Sequence, residues 1–192
     1  MPDFNPNLYN EKYRIPTNRL SGNFYDVGWY LVTITTKERV RYLGEIDKEG
    51  MHFSDIGNAC LDIINTFELR CADCEIQCFT IMPDHLHLLI RILPSHETDD
   101  NVSLDGLRDI SPNVSTSGKG LPSFGHQGRL SVIIRTFKGA VTTWAKQHER
   151  DFAWQSKFYD GVITNSGQWR EARLYIENNV HRWQLKYGLI SD

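Results

Sequence analysis

The order of apolar patterns along the chain predicts an α+β fold of the ferredoxin-like (RRM-like) plan. That plan is one antiparallel sheet, two helices on one of its faces, and an extra C-terminal helix. Three observations carry it. Strand-like and helix-like periods alternate as β, α, β, β, α, β. The two middle strands are joined only by Pro83-Asp84, a turn too short for anything but an antiparallel hairpin. A further amphipathic run then follows the last strand.

In chain order, "GWYLVTITT" (28–36) is aromatic and β-branched and reads as the first strand. "RVRYLGEI" (39–46) reads as an additional edge strand ending at the turn "DKEG". In "SDIGNACLDIINTFELR" (54–70), Ser54 is the expected N-cap, and Ile56, Ala59, Cys60, Ile63, Ile64 and Phe67 follow at helical spacing. "EIQCFTIM" and "HLHLLIRIL" are the paired middle strands. Residues 94–128, rich in Ser, Gly, Asp and Pro without a sustained period, read as a flexible insertion within one domain spanning 1–192. "LSVIIRTFKGAVTTWAKQHE" (130–149) is the second helix, with Arg135, Lys138 and Thr142 on a face away from its apolar stripe. "FAWQSKFYDGVITN" (152–165) holds the last strand. "SGQWREARLYIENNVHRW" (166–183) is the extra helix, with Ser166 as its expected N-cap.

Composition narrows the classes without choosing among them. With 40% hydrophobic and 23% charged residues over 192 positions, the chain can bury one sizeable core. No run approaches the roughly 18 apolar residues of a membrane span, and the polar N-terminus lacks a signal-peptide core, so a cytoplasmic protein is expected. Cys60, Cys71, Cys74 and Cys78 do not form two matched ligand pairs, which favours small buried thiols over a zinc site. The net charge of −3 hides an asymmetry: 94–128 is acidic, whereas Lys and Arg outnumber Asp and Glu from Arg129 onward. A locally basic half can hold a polyanion.

The chemistry-bearing stretch is "FTIMPDHLHLLIRI" (79–92). Residues two apart in a strand share a face. Leu86, Leu88, Ile90 and Ile92 therefore form an apolar face toward the helices. His85, His87, Leu89 and Arg91 turn to the opposite, open face. Two imidazoles side by side can converge on one cation or phosphate, and they need a further partner. On the last helix Trp169, Ala172, Ile176, Val180 and Trp183 form the buried stripe. Tyr175, Asn179 and Arg182 share its flank: a phenol, a carboxamide and a guanidinium. That flank suits a nucleophile, an oxygen ligand and a phosphate clamp, and equally suits a polar core margin.

His85-Leu86-His87 after "MPD" resembles the His-hydrophobic-His (HUH) motif of Y1 transposases, and "WQSKFYDGVITNSGQWREARLYIENNVHRW" resembles the tail signature of IS200-like, REP-associated tyrosine transposases. "YDVGWYLVTITT" and "FKGAVTTWA" extend the likeness over most of the chain. The resemblance implies Tyr175 as nucleophile, with His85, His87 and Asn179 holding a divalent metal, Mg²⁺ or Mn²⁺. It implies metal-dependent nicking and joining of single-stranded or hairpin DNA through a 5′-phosphotyrosine, in transposition or mobilisation of hairpin elements, by a monomer or homodimer. Two positions depart from the pattern. Val180 stands where the family usually has proline, which predicts a helix running on toward Trp183, and "YDG" (159–161) stands where relatives often read "YDH".

A phenol with a reference pKa of about 10 is a weak nucleophile at neutral pH and needs that metal's help. Arg14, Arg19, Arg135, Lys138, Arg173 and Arg182 are candidates for DNA phosphates, and Tyr9, Tyr13, Phe24 and Tyr25 for stacking on unpaired bases. A histidine-triad hydrolase would need an imidazole where Leu89 stands, and a cupin-type oxygenase would need ligands on other strands. The alternative of another class is a non-catalytic, domesticated nucleic-acid-binding protein on the same fold. Such a protein has no need of His85, His87, Tyr175 and Asn179 together.

Overall fold

The computed structural model describes residues 27–94 and 128–191, together with two short strands, β1 (Leu8–Tyr9) and β2 (Tyr13–Arg14), that pair with each other. The expected insertion at 94–128 lies, apart from its ends, outside the described residues.

The main sheet has four antiparallel strands: β3 (Gly28–Thr35), β6 (Cys74–Met82), β7 (His85–Ile92) and β8 (Tyr159–Ile163). Their spatial order is β6-β7-β3-β8. The first and third strands of the βαββαβ sequence are thus central, as the ferredoxin-like plan requires. Pro83 and Asp84 close the β6–β7 hairpin, with Met82 paired to His85. The expected edge strand at 39–46 does not join this sheet. Its residues form a 3₁₀ turn (Lys37–Arg39) and β4 (Gly44–Ile46), which pairs only with β5 (Met51–Phe53). Gly44 makes that small ribbon possible, since a Cβ there would meet the His52 carbonyl oxygen at 2.1 Å.

Helices α1 (Asp55–Asn65) and α2 (Arg129–Gln147) cover one sheet face. Ser54 caps α1 by accepting from the Gly57 amide, the expected N-cap. Ile56, Cys60, Ile63 and Ile64 of α1 and Ile133, Ile134, Phe137 and Val141 of α2 pack on Tyr30, Val32, Ile34, Leu86, Leu88, Ile90 and Ile92. This is the core that the period-two reading of 86–92 anticipates.

The opposite face is not open. Helix α3 (Ser166–Glu177) lies over it, and Leu89, Ala172 and Ile176 make a second buried cluster with Trp29, Leu31, Cys78, Trp169 and Tyr175 at its edge. The cap of α3 is Asn165, which accepts from the Gln168 amide, rather than Ser166. Nor does one helix run to Trp183. The chain breaks at Asn178 and resumes as α4 (Asn179–Lys186). The break comes without a proline: at Asn178 the side-chain amide donates to the Leu174 carbonyl at 2.7 Å, beside the backbone N–H that donates to the same oxygen at 3.1 Å. Cys74 lies in the main core and Cys78 in the second cluster, so the sheet separates them.

Candidate functional site

Strand register assembles most of the site. His87 lies opposite Thr33 on β3, and His85 opposite Thr35. Both imidazoles stand on the face that α3 covers, with ring centroids 4.8 Å apart. Packing of Ala172 and Ile176 on Leu89 brings Tyr175, on the same helix, over His87. The phenol oxygen sits 3.1 Å from Nε2 of His87, and the two rings meet edge-to-face at 4.9 Å.

Each histidine is held through its other nitrogen. Nδ1 of His87 meets the Thr33 hydroxyl at 2.8 Å. His87 is only 4% exposed, and burial, reinforced by neighbouring His85, pushes its pKa well below the ordinary histidine value. The ring is therefore neutral. If Nδ1 carries the proton toward Thr33, Nε2 presents a lone pair toward the phenol. Nδ1 of His85 lies 2.5 Å from the Asp84 carboxylate, which leaves Nε2 as its ligand atom. Burial alone would raise the Asp84 carboxyl, but His85 and Arg39 outweigh it and hold it below the usual carboxylate range. Asp84 is itself fixed, since its carbonyl accepts from both the amide and the hydroxyl of Thr36.

This donor set fits a divalent cation. Two adjacent imidazoles, each with Nδ1 tied to an oxygen, match the way outer partners orient metal-bound histidines. Asn179 opens α4, is buried, and reaches back to the Tyr175 carbonyl through Nδ2 at 3.5 Å. Among the described residues, three His, Cys, Asp or Glu ligand atoms gather only at Asp47, Glu49 and His52, all exposed. That cluster belongs to a turn: the Asp47 carboxylate accepts from the Glu49 and Gly50 amides.

The other candidates divide by location. Arg182 stands over the Tyr175 ring at 5.7 Å. Arg173, on α3, pairs with Glu177 one turn further on at 2.7 Å. Arg135 and Lys138 belong to α2, across the sheet, where they line a groove of about 600 Å³ with Phe152, Trp154 and Phe158. Lys138 donates there to the Gln155 and Ser156 carbonyls, and burial lowers its pKa. The Arg14 side chain and those of Tyr9 and Tyr13 lie outside the described residues, as do Arg19, Phe24 and Tyr25. Gly161 faces Leu31 across the β3–β8 pair, and a Cβ added there meets nothing within 4 Å, so there is room for a side chain at this position. Sequence reading missed Thr33, whose role depends on register. It took Asp84 for a turn residue only, although its place beside His85 was a visible signal.

No family model matches the chain. It is 29% identical over 163 residues to an uncharacterized protein of Haemophilus influenzae, covering 84% of this chain and 85% of that protein. Its fold is similar to a solved structure of a REP-associated tyrosine transposase bound to a REP hairpin, with a TM-score of 0.50 and 17% identity over 86% of this chain and 71% of that one. No helix among the described residues is long and apolar enough to cross a membrane. At that identity the likeness is one of fold, and the antiparallel α+β architecture is shared.

Proposed function

We propose that this chain is a metal-dependent nuclease and strand transferase for single-stranded DNA that uses Tyr175 as its nucleophile. The observation that carries the reading is the phenol oxygen 3.1 Å from Nε2 of a buried histidine whose neighbour is a second histidine. The HUH-like motif and the hairpin-bound structural neighbour support the same reading and point to hairpin DNA with an unpaired flank.

In this reading His85 and His87, with the Asn179 carboxamide, hold Mg²⁺ or Mn²⁺. When bound, such an ion withdraws charge from a phosphate oxygen and stabilises the transition state by several kcal/mol. The protein's own groups do the rest. Thr33 and Asp84 fix the two rings, α3 presents the phenol, and Arg182 beside Tyr175 supplies positive charge for a phosphate. The Tyr175 oxygen attacks phosphorus and forms a phosphotyrosine bond while the P–O3′ bond breaks. The phenolic proton passes to solvent and the 3′ oxygen leaves as a hydroxyl. Because one phosphoester replaces another, rejoining needs no external energy source.

The test is a labelled hairpin oligonucleotide with single-stranded flanks, incubated with the protein and Mg²⁺ or Mn²⁺. A band that survives denaturation and disappears in Tyr175→Phe is the expected result. Binding without any covalent band under either ion assigns the chain to the non-catalytic DNA-binding class instead.

A further inference from the structure

The two histidines are not the end of the aromatic surface. From Tyr175 the rings continue through His87 at 4.9 Å, His85 at 4.8 Å, Trp183 at 6.3 Å and Tyr187 at 4.7 Å. Trp183 on α4 and Tyr187, the residue that caps its C-terminus, are four apart and so lie on one side of that helix end. The row passes through the buried His87 and emerges at Tyr187, which is 49% exposed.

Its outer end is positively charged. The Arg41 guanidinium, on the connection before β4, lies 5.7 Å from the Trp183 ring and 5.9 Å from Tyr187. Lys186 Nζ lies 5.4 Å from the Tyr187 ring. Arg41 is exposed, and no carboxylate among the described residues forms an ion pair with it. Aromatic faces interleaved with cations are the recurring means by which proteins hold unpaired nucleotides: the rings stack on bases and the cations follow the backbone. A brace meant only to pin α4 would gain more by burying Tyr187 than by leaving half of it in water with two cations beside it.

We propose that Trp183 and Tyr187, with Arg41 and Lys186, form a stacking subsite for unpaired bases of the strand whose phosphodiester lies between Tyr175 and the two histidines. The placement of that phosphodiester rests on the function proposed above. The stacking itself does not require cleavage. A subsite of this kind takes single-stranded DNA with little base preference and discriminates against duplex, whose bases already stack on one another.

The experiment measures binding of fluorescein-labelled oligothymidine and of a blunt duplex of equal length, by anisotropy, at one fixed salt concentration. The full chain is used without metal, so that no strand is cut. Tyr187→Ala weakens oligothymidine binding by about 5- to 150-fold, the range expected for losing one stacked base. Tyr187→Phe keeps the ring and retains binding, Arg41→Ala weakens it, and duplex binding hardly changes in any variant. Unchanged oligothymidine affinity in Tyr187→Ala overturns the proposal. So does a loss in Tyr187→Phe equal to that in Tyr187→Ala, or an equal loss on duplex. The covalent-band assay keeps the two readings apart. A Tyr175-dependent band with unchanged affinity in Tyr187→Ala removes the subsite alone, whereas selective loss of single-strand binding without any band supports the subsite and removes the nuclease.

Discussion

Thr33→Val tests whether the hydroxyl opposite His87 orients the imidazole. The substitution keeps the β-branched shape that suits β3 and deletes only the oxygen that Nδ1 of His87 meets at 2.8 Å. His87 is 4% exposed, so water has little access to replace that partner. A buried N–H left unsatisfied costs about 1–3 kcal/mol. For a chain of this size each kcal/mol moves the midpoint by about 2–4 °C, so thermal unfolding without added metal shifts down by about 2–12 °C. The ring also loses the contact that fixes its tautomer, and removing such an outer partner typically weakens metal binding about 10- to 100-fold. Mn²⁺ titration followed by electron paramagnetic resonance reads that second effect independently of catalysis. Thr33→Ser, which restores the hydroxyl, recovers most of both. Thr33→Val with wild-type melting and wild-type Mn²⁺ affinity, or Thr33→Ser as damaged as Thr33→Val, refutes the reasoning and leaves Thr33 as strand filler.

Three other predictions concern the surrounding structure. Tyr175→Phe abolishes the covalent DNA band yet tightens Mn²⁺ binding by about 2- to 13-fold in calorimetry, because the His87 lone pair facing the phenol is then released from a hydrogen bond of about 0.5–1.5 kcal/mol. Leu89→Ala removes a fully buried side chain beneath α3 and lowers stability by about 2–5 kcal/mol in urea unfolding, with faster amide exchange in α3 than in α2. Burial pushes the Cys60 thiol up to about 12. Above its unfolded value of about 8.5 the unfolded chain gives up a proton that the folded chain keeps, so stability falls with rising pH by up to about 1.4 kcal/mol per unit. Urea midpoints between pH 8 and 10.5 show a shallower decline in Cys60→Ala than in the parent.

Those elements legible in the sequence were the ones whose period survives without knowledge of their neighbours. The alternation Leu86, Leu88, Ile90, Ile92 against His85, His87, Leu89 sorted the two faces of β7 correctly, and Ser54 marked the start of α1. Two failures had physical causes. Residues 39–46 have strand-like composition, but Gly44 and the turn after Ile46 let them fold back on 51–53 rather than extend the sheet. The break at Asn178 looked unwarranted without proline because Asn178 competes locally for the Leu174 carbonyl with its side-chain amide, a contact that helical period does not report. The site was half legible for a related reason. His85, His87 and Tyr175 could be chosen by type and spacing, whereas Thr33 depends on which residue of β3 the register sets against His87.

The division of the sheet into two faces also decides how the site can vary. Among the described residues, the main core on the α1–α2 face shares no buried side chain with the cluster that holds Leu89, Ala172 and Ile176. Polar changes around His85 and His87 therefore draw on a small, separate reserve of packing rather than on the bulk of the stability. Thr33, Asp84 and Arg39 can be altered with local penalties, and the four-stranded sheet remains intact. Leu89 is the exception, because it stands in the same strand as the histidines and under the same helix as the phenol. Truncating it loosens packing that helps set the phenol's height above His87. Activity should then fall further than stability alone requires, although no group assigned to the chemistry has been touched.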